Sequence, residues 1–275
     1  MTATTSQRPL QRVGHIGDDD NRFCGAAVFA DLAERFVSPL DLLGLGFGMP
    51  PLDDDAREII RCVSLCLTSP DARVWPLKMT RLLSSYGNSM AGYFGAQLAS
   101  FSDRMGPGTA SYAAASLRWL QARLPTDATA EQVTAAVAEH VATRGRIAGF
   151  GVPFRREDER LLSLHRLLAG HPALQRPFWR LHLRVVDALR ASAKLEPNIV
   201  FPMTALLTDL GLSAERTGLF FSLLMNHTFA AHAMEAAEQD AAHLQTLPPA
   251  SLDDRSRALR RSPRAVSAAT RSAQE

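Results

Sequence analysis

Three features of the chain predict an all-α protein. Apolar residues recur at three- and four-residue steps along most of its length, helix caps and helix-ending glycines punctuate those runs, and no segment sustains the apolar alternation of a strand. At 275 residues the chain suits one large helical domain with a smaller helical lobe and can bury a substantial core. The boundaries read as a disordered tail over 1–21, a helical domain over 22–245 with the small lobe at roughly 146–210, and an Arg-rich disordered tail over 246–275.

Ser38-Pro39-Leu40-Asp41 opens a short helix with Pro at its first position. Leu45-Gly46-Phe47-Gly48-Met49-Pro50-Pro51 then makes a structured turn. Asp53-Asp54-Asp55 supplies an N-cap and acids matched to the helix dipole for a helix running to about Thr68, with Ile59, Ile60, Val63 and Leu67 on one face. Thr109 is placed to cap a helix over Ala110–Leu124. Thr129 with Gln132 forms a capping box ahead of Val133–Thr143, and Gly145 stands where a C-terminal glycine belongs. Asp158–Ala169 followed by Gly170, Pro177–Ala193, Phe201–Leu210 followed by Gly211, and Ser213 to about Leu244 complete the helices. No internal repeat of 20 to 50 residues is visible.

The stretch from Val74 to Phe101 reads as one long, mostly apolar helix. Lys78, Arg81, Ser85 and Asn88 recur at steps of three, four and three, which puts them on one face. If that face is buried it must meet a partner, a cleft or an anion, since an unpaired buried charge is expensive; the alternative is a solvent-exposed face. Gly87, Gly92 and Gly95 each weaken helical propensity by roughly 1 kcal/mol relative to Ala, a cost tolerated for close packing or a ligand.

Composition excludes several classes. No apolar run approaches the roughly 20 residues of a membrane span, and the polar start ending in Asp18-Asp19-Asp20 does not read as a secretory signal, so no membrane is expected and a cytoplasmic location is the default. Cys62 and Cys66 lie one helical turn apart in an apolar pattern, which reads as packing rather than metal or redox chemistry. The net charge of +2 gives no argument for nucleic acid, and the arginines at 255, 257, 260, 261, 264 and 271 read as a solvated tail without aromatic interleaving. Lys78 and Lys194 are the only lysines, and both fall in segments of interest.

Two segments stand out: Arg146-Ile147-Ala148-Gly149-Phe150-Gly151-Val152-Pro153-Phe154 and Lys194-Leu195-Glu196-Pro197-Asn198-Ile199-Val200-Phe201. Their glycines let backbone approach a large ligand closely, and a plain tight turn explains them equally. Together with Gly106-Pro107-Gly108-Thr109 upstream, they resemble signature stretches of the citrate synthase superfamily, over roughly residues 22–240. The resemblance implies that the first segment binds coenzyme A through its backbone and supplies a catalytic histidine, but Val152 stands at that position. It implies that the second ends in the aspartate that deprotonates acetyl-CoA, but Val200 stands there, and valine accepts no proton at any pH. Thr109 occupies the place of the carbonyl-polarising histidine, and Met225 that of a later arginine. Asp158-Glu159-Arg160 resembles the family's Asp-Pro-Arg, which would make Arg160 a carboxylate ligand. His232-Ala233-Met234-Glu235 resembles the closing helix, which carries no metal; His227, His232 and Glu235 are therefore not expected to bind one.

Ordinary citrate synthesis is thus not expected. The leading reading is a divergent enzyme of acyltransferase or lyase type acting on an acyl-CoA or polar carboxylate. Its candidate catalytic residues are Lys78, Arg81, Asn88 and Thr109, with Arg155, Arg156 and Arg160 binding substrate. Coenzyme A or an acyl-CoA would be held by Ile147, Gly149, Gly151, Lys194 and Asn198. A buried Lys78 beside Arg81 could form a Schiff base or simply pair with an anion. The alternative is a catalytically inactive homologue that binds coenzyme A or a carboxylate as a sensor or partner subunit, because Val152, Val200 and Met225 make the pocket more apolar. A homodimer is expected through the helix around Gly87, Gly92 and Gly95.

Overall fold

The computed structural model describes residues 13–35, 38–68, 71–72, 74–100, 106–151 and 158–239. Val152, Arg155, Arg156 and the Arg-rich segment 246–275 lie outside the described residues, as do residues 1–12 of the expected N-terminal tail.

The first described residues form a small antiparallel sheet that the sequence pattern did not announce: β1 (Gly14–Ile16), β2 (Asn21–Phe23) and β3 (Ala26–Ala27). Strands of two or three residues are too short to show an alternating pattern. What makes them is turn chemistry: Cys24 and Gly25 both take positive φ, the requirement of a tight two-residue hairpin between Phe23 and Ala26. A π-helical turn (Val28–Leu32) and α1 (Ala33–Arg35) follow. The Asp20 carboxylate, at 2.9–3.1 Å, accepts the N–H groups of Phe29 and Ala30 and so ties the β1–β2 turn to that helix start.

The remaining elements are helices, and most start where their caps predicted. α2 (Pro39–Gly46) carries the Ser38–Asp41 capping box. α3 (Asp54–Leu67) starts at Asp53, whose carboxylate accepts the N–H of Ala56 at 2.7 Å. Next come α4 (Trp75–Ser84), α5 (Ser89–Ser100), α6 (Pro107–Gln121), α7 (Ala130–Arg144) with the Thr129–Gln132 box, and α8 (Glu159–Leu167), capped by Asp158. α9 (Pro177–Ala193), α10 (Val200–Asp209), α11 (Ala214–Leu224) and α12 (Asn226–Ala237) follow.

Three expectations are corrected. The single helix over Val74–Phe101 is two: the chain turns at Tyr86-Gly87, Gly87 has φ +77°, and Asn88 caps α5 by accepting the N–H of Ala91. The expected polar face is therefore dispersed, with Lys78 and Asn88 exposed, Arg81 half-buried and Ser85 buried. The helix expected from Ser213 breaks at Met225 into α11 and α12. Thr109 does not cap its helix, which starts two residues earlier behind Gly106. Thr109 sits buried inside the first turn and donates its hydroxyl to the Gly106 carbonyl at 2.6 Å.

α10 is the axis of the fold. Phe201 through Thr208 are all buried, the pattern of a helix packed on every side. Met203, Leu206 and Leu207 join the core cluster built by α3, α8 and α11, while Phe201 and Ala205 join the one built by α6, α7 and α9. Whatever holds the N-terminus of α10 therefore sits where the two core clusters meet.

Candidate functional site

The two segments singled out in the sequence fold onto each other at that N-terminus. Gly151 donates its N–H to the Glu196 carbonyl at 2.8 Å, Asn198 donates its own to the Gly149 carbonyl at 2.9 Å, and Phe150 and Pro197 form an antiparallel bridge between them. The Asn198 side chain completes the clasp: its Nδ2 donates to the Gly151 carbonyl at 3.0 Å, and its Oδ1 accepts the N–H of Val200, the first residue of α10, at 3.0 Å. Asn is one of the few side chains that can do both at once.

The glycines have different jobs. Gly149 has φ +91°, and a Cβ there would lie 2.7 Å from the Phe201 Cβ, so this glycine lets the loop press on the start of α10. Gly151 has φ +90°, but a Cβ added there would meet nothing within 4 Å, and the residue is exposed. Packing thus requires the first glycine. The second, its N–H and C=O both engaged within the clasp, leaves an exposed surface without a Cβ.

Asp158 ties the clasp to α8. Its side chain is 2% exposed and accepts the N–H of Ile199 at 2.9 Å while gripping Arg160 side-on, Nε to Oδ1 at 2.8 Å and Nη2 to Oδ2 at 2.7 Å. Burial alone would raise the Asp158 pKa, but the guanidinium and the backbone donors outweigh it and hold the carboxyl below its usual range. Arg160 keeps further donors beyond the two engaged. It lines a concavity of about 240 Å³ with Cys66, Thr68, Ser163 and Arg166.

Lys194 ends α9 in the left-handed region, φ 53° and ψ 34°, where glycine or asparagine is the usual choice. Its side chain is exposed beside the clasp, while Arg190 is engaged by Glu196 in a side-on pair at 2.8–2.9 Å. Behind the clasp, His182 is 2% exposed, packed edge-on to Trp179 and facing Phe201. Burial pushes its pKa down to about 3, so the ring is neutral. Sequence reading missed His182, and also Asp209, whose carboxylate caps α9 from another helix by accepting the N–H groups of Phe178 and Trp179. The one available hint was that Arg176, at the N-cap of α9, makes no side-chain cap of its own.

The structure thus brings together Gly149, Gly151 and Asn198, with Arg160 attached through Asp158 and Lys194 exposed at the end of α9, whereas Ile147 is buried in the core cluster of α6, α7 and α9. It does not gather Lys78, Arg81 and Asn88 onto that clasp by any hydrogen bond: Arg81 pairs with Glu235 on α12 at 3.1 Å and approaches His232 Nδ1 at 3.4 Å. Lys78 is exposed, so the buried setting on which a Schiff-base role was conceived is absent. Cys62 and Cys66 are buried free thiols, and burial pushes Cys62 up to about 11, far from a thiolate at neutral pH. Among the described residues no group of three or more His, Cys, Asp or Glu side chains is arranged to hold a metal, and no helix is long and apolar enough to cross a membrane.

Comparison with solved structures places this architecture. The chain superposes on citryl-CoA lyase from Hydrogenobacter thermophilus with a TM-score of 0.73 at 15% identity, covering 94% of this chain and 98% of that one. It superposes on ATP citrate lyase from Methanothrix soehngenii, solved with citrate and coenzyme A, at 0.71 and 16% identity, over 92% of this chain and 43% of that one. Citrate synthase from Thermotoga maritima gives 0.58 at 15% identity, over 80% of this chain and 60% of that one. The chain shares its fold with these citryl-CoA lyase and citrate synthase structures. No family model and no curated protein matches the sequence.

Proposed function

We propose that this chain binds a coenzyme A thioester of a polar carboxylic acid at the 149–151/194–198 clasp and does not perform the enolisation that drives citrate synthesis. The observation that carries the reading is the state of the clasp. Its two segments are joined by backbone hydrogen bonds, whereas Val200, the first residue of α10, offers no carboxylate where the superfamily resemblance places the base. Gly151, whose N–H and C=O are both held within the clasp, offers a ligand an exposed surface without a Cβ, and Lys194 is an exposed cation at a backbone position that strains a non-glycine residue. A cation at this strained, exposed position fits a role through its charge, with the phosphate groups of coenzyme A as its partner. The carboxylate end of the ligand is assigned to Arg160, presented by Asp158; Arg155 and Arg156 belong to the same proposed binding set.

In this reading the protein is a binding subunit or sensor with the superfamily fold. A lyase or transferase activity on the same thioester is the second reading, favoured by the near-complete overlap with citryl-CoA lyase. It would use the positive end of the α6 dipole to polarise a thioester carbonyl, with Thr109 contributing only once its buried hydroxyl releases the Gly106 carbonyl. Assembly as a homodimer belongs to both readings.

Thermal denaturation with coenzyme A, acetyl-CoA, citryl-CoA and citrate tests the proposal. A rise in Tm with the CoA species and unchanged citryl-CoA by chromatography support the binding reading. Consumption of citryl-CoA turns the assignment to the lyase, and no thermal shift with any CoA species rejects the site.

A further inference from the structure

Few groups at the Arg160 concavity are able to accept a proton. Asp158 is gripped by Arg160 and by the Ile199 N–H, and burial pushes the thiol of Cys66 up. His227 belongs to none of the signature segments, yet it stands at the edge of that concavity. It is exposed, the second residue of α12, two positions beyond Met225, where the superfamily resemblance places an arginine. Its Nε2 lies 2.7 Å from the Oγ1 of Thr68, and Thr68 lines the concavity of about 240 Å³ together with Arg160, Ser163 and Arg166. The Ser64 hydroxyl donates to the Leu224 carbonyl at 3.2 Å and so holds the joint between α11 and α12 against α3. The position of His227 is built from both sides.

The hydrogen bonds decide which ring nitrogen carries the lone pair. The Thr68 hydroxyl has one proton and donates it to the Ser64 carbonyl at 3.3 Å, in the last turn of α3. The short contact to His227 is then made by an Nε2–H donor, which leaves Nδ1 as the basic nitrogen. An imidazole oriented through one nitrogen and basic at the other is arranged for proton transfer. We infer that His227 is the general base of this site, acting through Nδ1. The inference rests on the lyase reading and supplies the acceptor that Val200 does not. With a 3-hydroxyacyl thioester whose carboxylate is held by Arg160, Nδ1 takes the hydroxyl proton as the bond between the hydroxyl-bearing carbon and the methylene beside the thioester breaks. The hydroxyl oxygen becomes a keto oxygen, the electron pair of the broken bond passes to the methylene, and the imidazolium returns the proton to that carbon. A keto acid and acetyl-CoA leave, and nothing else is consumed. Size agrees with this division of the ligand. About 240 Å³ is below the roughly 300–1,000 Å³ of sites that enclose a drug-sized ligand, so the concavity takes the acid portion while coenzyme A lies outside it, on the clasp.

Cleavage of citryl-CoA by the full chain, followed as acetyl-CoA by chromatography over a range of substrate concentrations, is the test. His227→Gln keeps a donor for Thr68 but has no basic nitrogen, so it should lower kcat by about 100- to 10,000-fold while KM and the thermal shift given by coenzyme A stay as in the wild type. His227→Ala should lose as much and recover part of its rate when imidazole is added, which a structural role would not allow. An unchanged kcat in His227→Gln overturns the inference, and so does a loss in both variants that imidazole does not relieve. A loss in Glu159→Gln, on the same concavity, with His227→Gln unaffected moves the base to Glu159 and overturns it as well. A wild type that leaves citryl-CoA intact also overturns it, while a thermal shift with coenzyme A in that preparation leaves the binding reading of the clasp standing.

Discussion

The Asp158 carboxylate accepts the backbone N–H of Ile199 at 2.9 Å, so the residue that caps α8 also secures the entry to the central helix α10, 41 positions along the chain. Because its other contacts hold Arg160 side-on, one buried charge orders the clasp and presents the arginine together. The proposed binding site depends on that coupling.

Asp158→Asn should therefore destabilise the protein by about 1–3 kcal/mol, through a weakened cap and a lost charge-assisted pair, the larger values being excluded because Arg160 is partly solvated. The pH dependence has a definite sign. The folded pKa lies below the unfolded value of 3.8, so the contribution is fully present above that value and is lost as pH falls through the folded pKa. Urea midpoints measured from neutral into strongly acidic solution should fall for the wild type at the acid end and less for the variant.

His182 adds a second window. Its folded pKa of about 3 lies below the ordinary value of 6.5, so the unfolded state binds the extra proton first, and stability declines as pH drops from 6.5 toward 3. His182→Leu should flatten that decline while leaving the acid-end loss from Asp158 in place. A slope unchanged by the substitution would assign the acid sensitivity elsewhere.

The two glycines of the clasp should separate. Gly149→Ala meets the Phe201 Cβ at 2.7 Å as well as a strained φ and should cost several kcal/mol, whereas Gly151→Ala meets only the strain, about 1 kcal/mol. Thermal melts compare them directly. Equal losses would mean that the loop does not press on α10.

Lys194→Gly relieves a left-handed backbone and should raise stability by about 0.5–1 kcal/mol. In the proposed function it simultaneously weakens coenzyme A binding. Opposite signs in the melt of the free protein and in the ligand-induced shift are the expected signature, and a gain in both would remove Lys194 from the site.

Acetyl-CoA mixed with oxaloacetate should release no thiol above background, since Val200 cannot remove the methyl proton. Turnover on the order of 1 per second or faster would contradict this.

Much of this was legible in the chain because the signals are local. Asp53, Ser38, Thr129 and Asp158 cap within three residues, and the clasp segments announce themselves by their glycines and Asn198. What escaped was set by contacts distant in sequence. Asp209 caps α9 from 30 residues away, Arg81 finds Glu235 across 154 positions, and the breaks at Gly87 and Met225 answer to packing rather than to an apolar period that continues through both. The strands of the N-terminal sheet are shorter than any pattern could reveal.

Calorimetric titration of coenzyme A into the wild type and into Gly151→Ala tests the central claim most directly. Seating of the ligand against the Cβ-free surface of Gly151 predicts a measurable heat for the wild type and at least a roughly tenfold weaker affinity, about 1.4 kcal/mol, for the variant. No heat with coenzyme A or acetyl-CoA, alongside clear heat with a simple carboxylate such as citrate, would contradict the account and move the site to the Arg160 concavity alone.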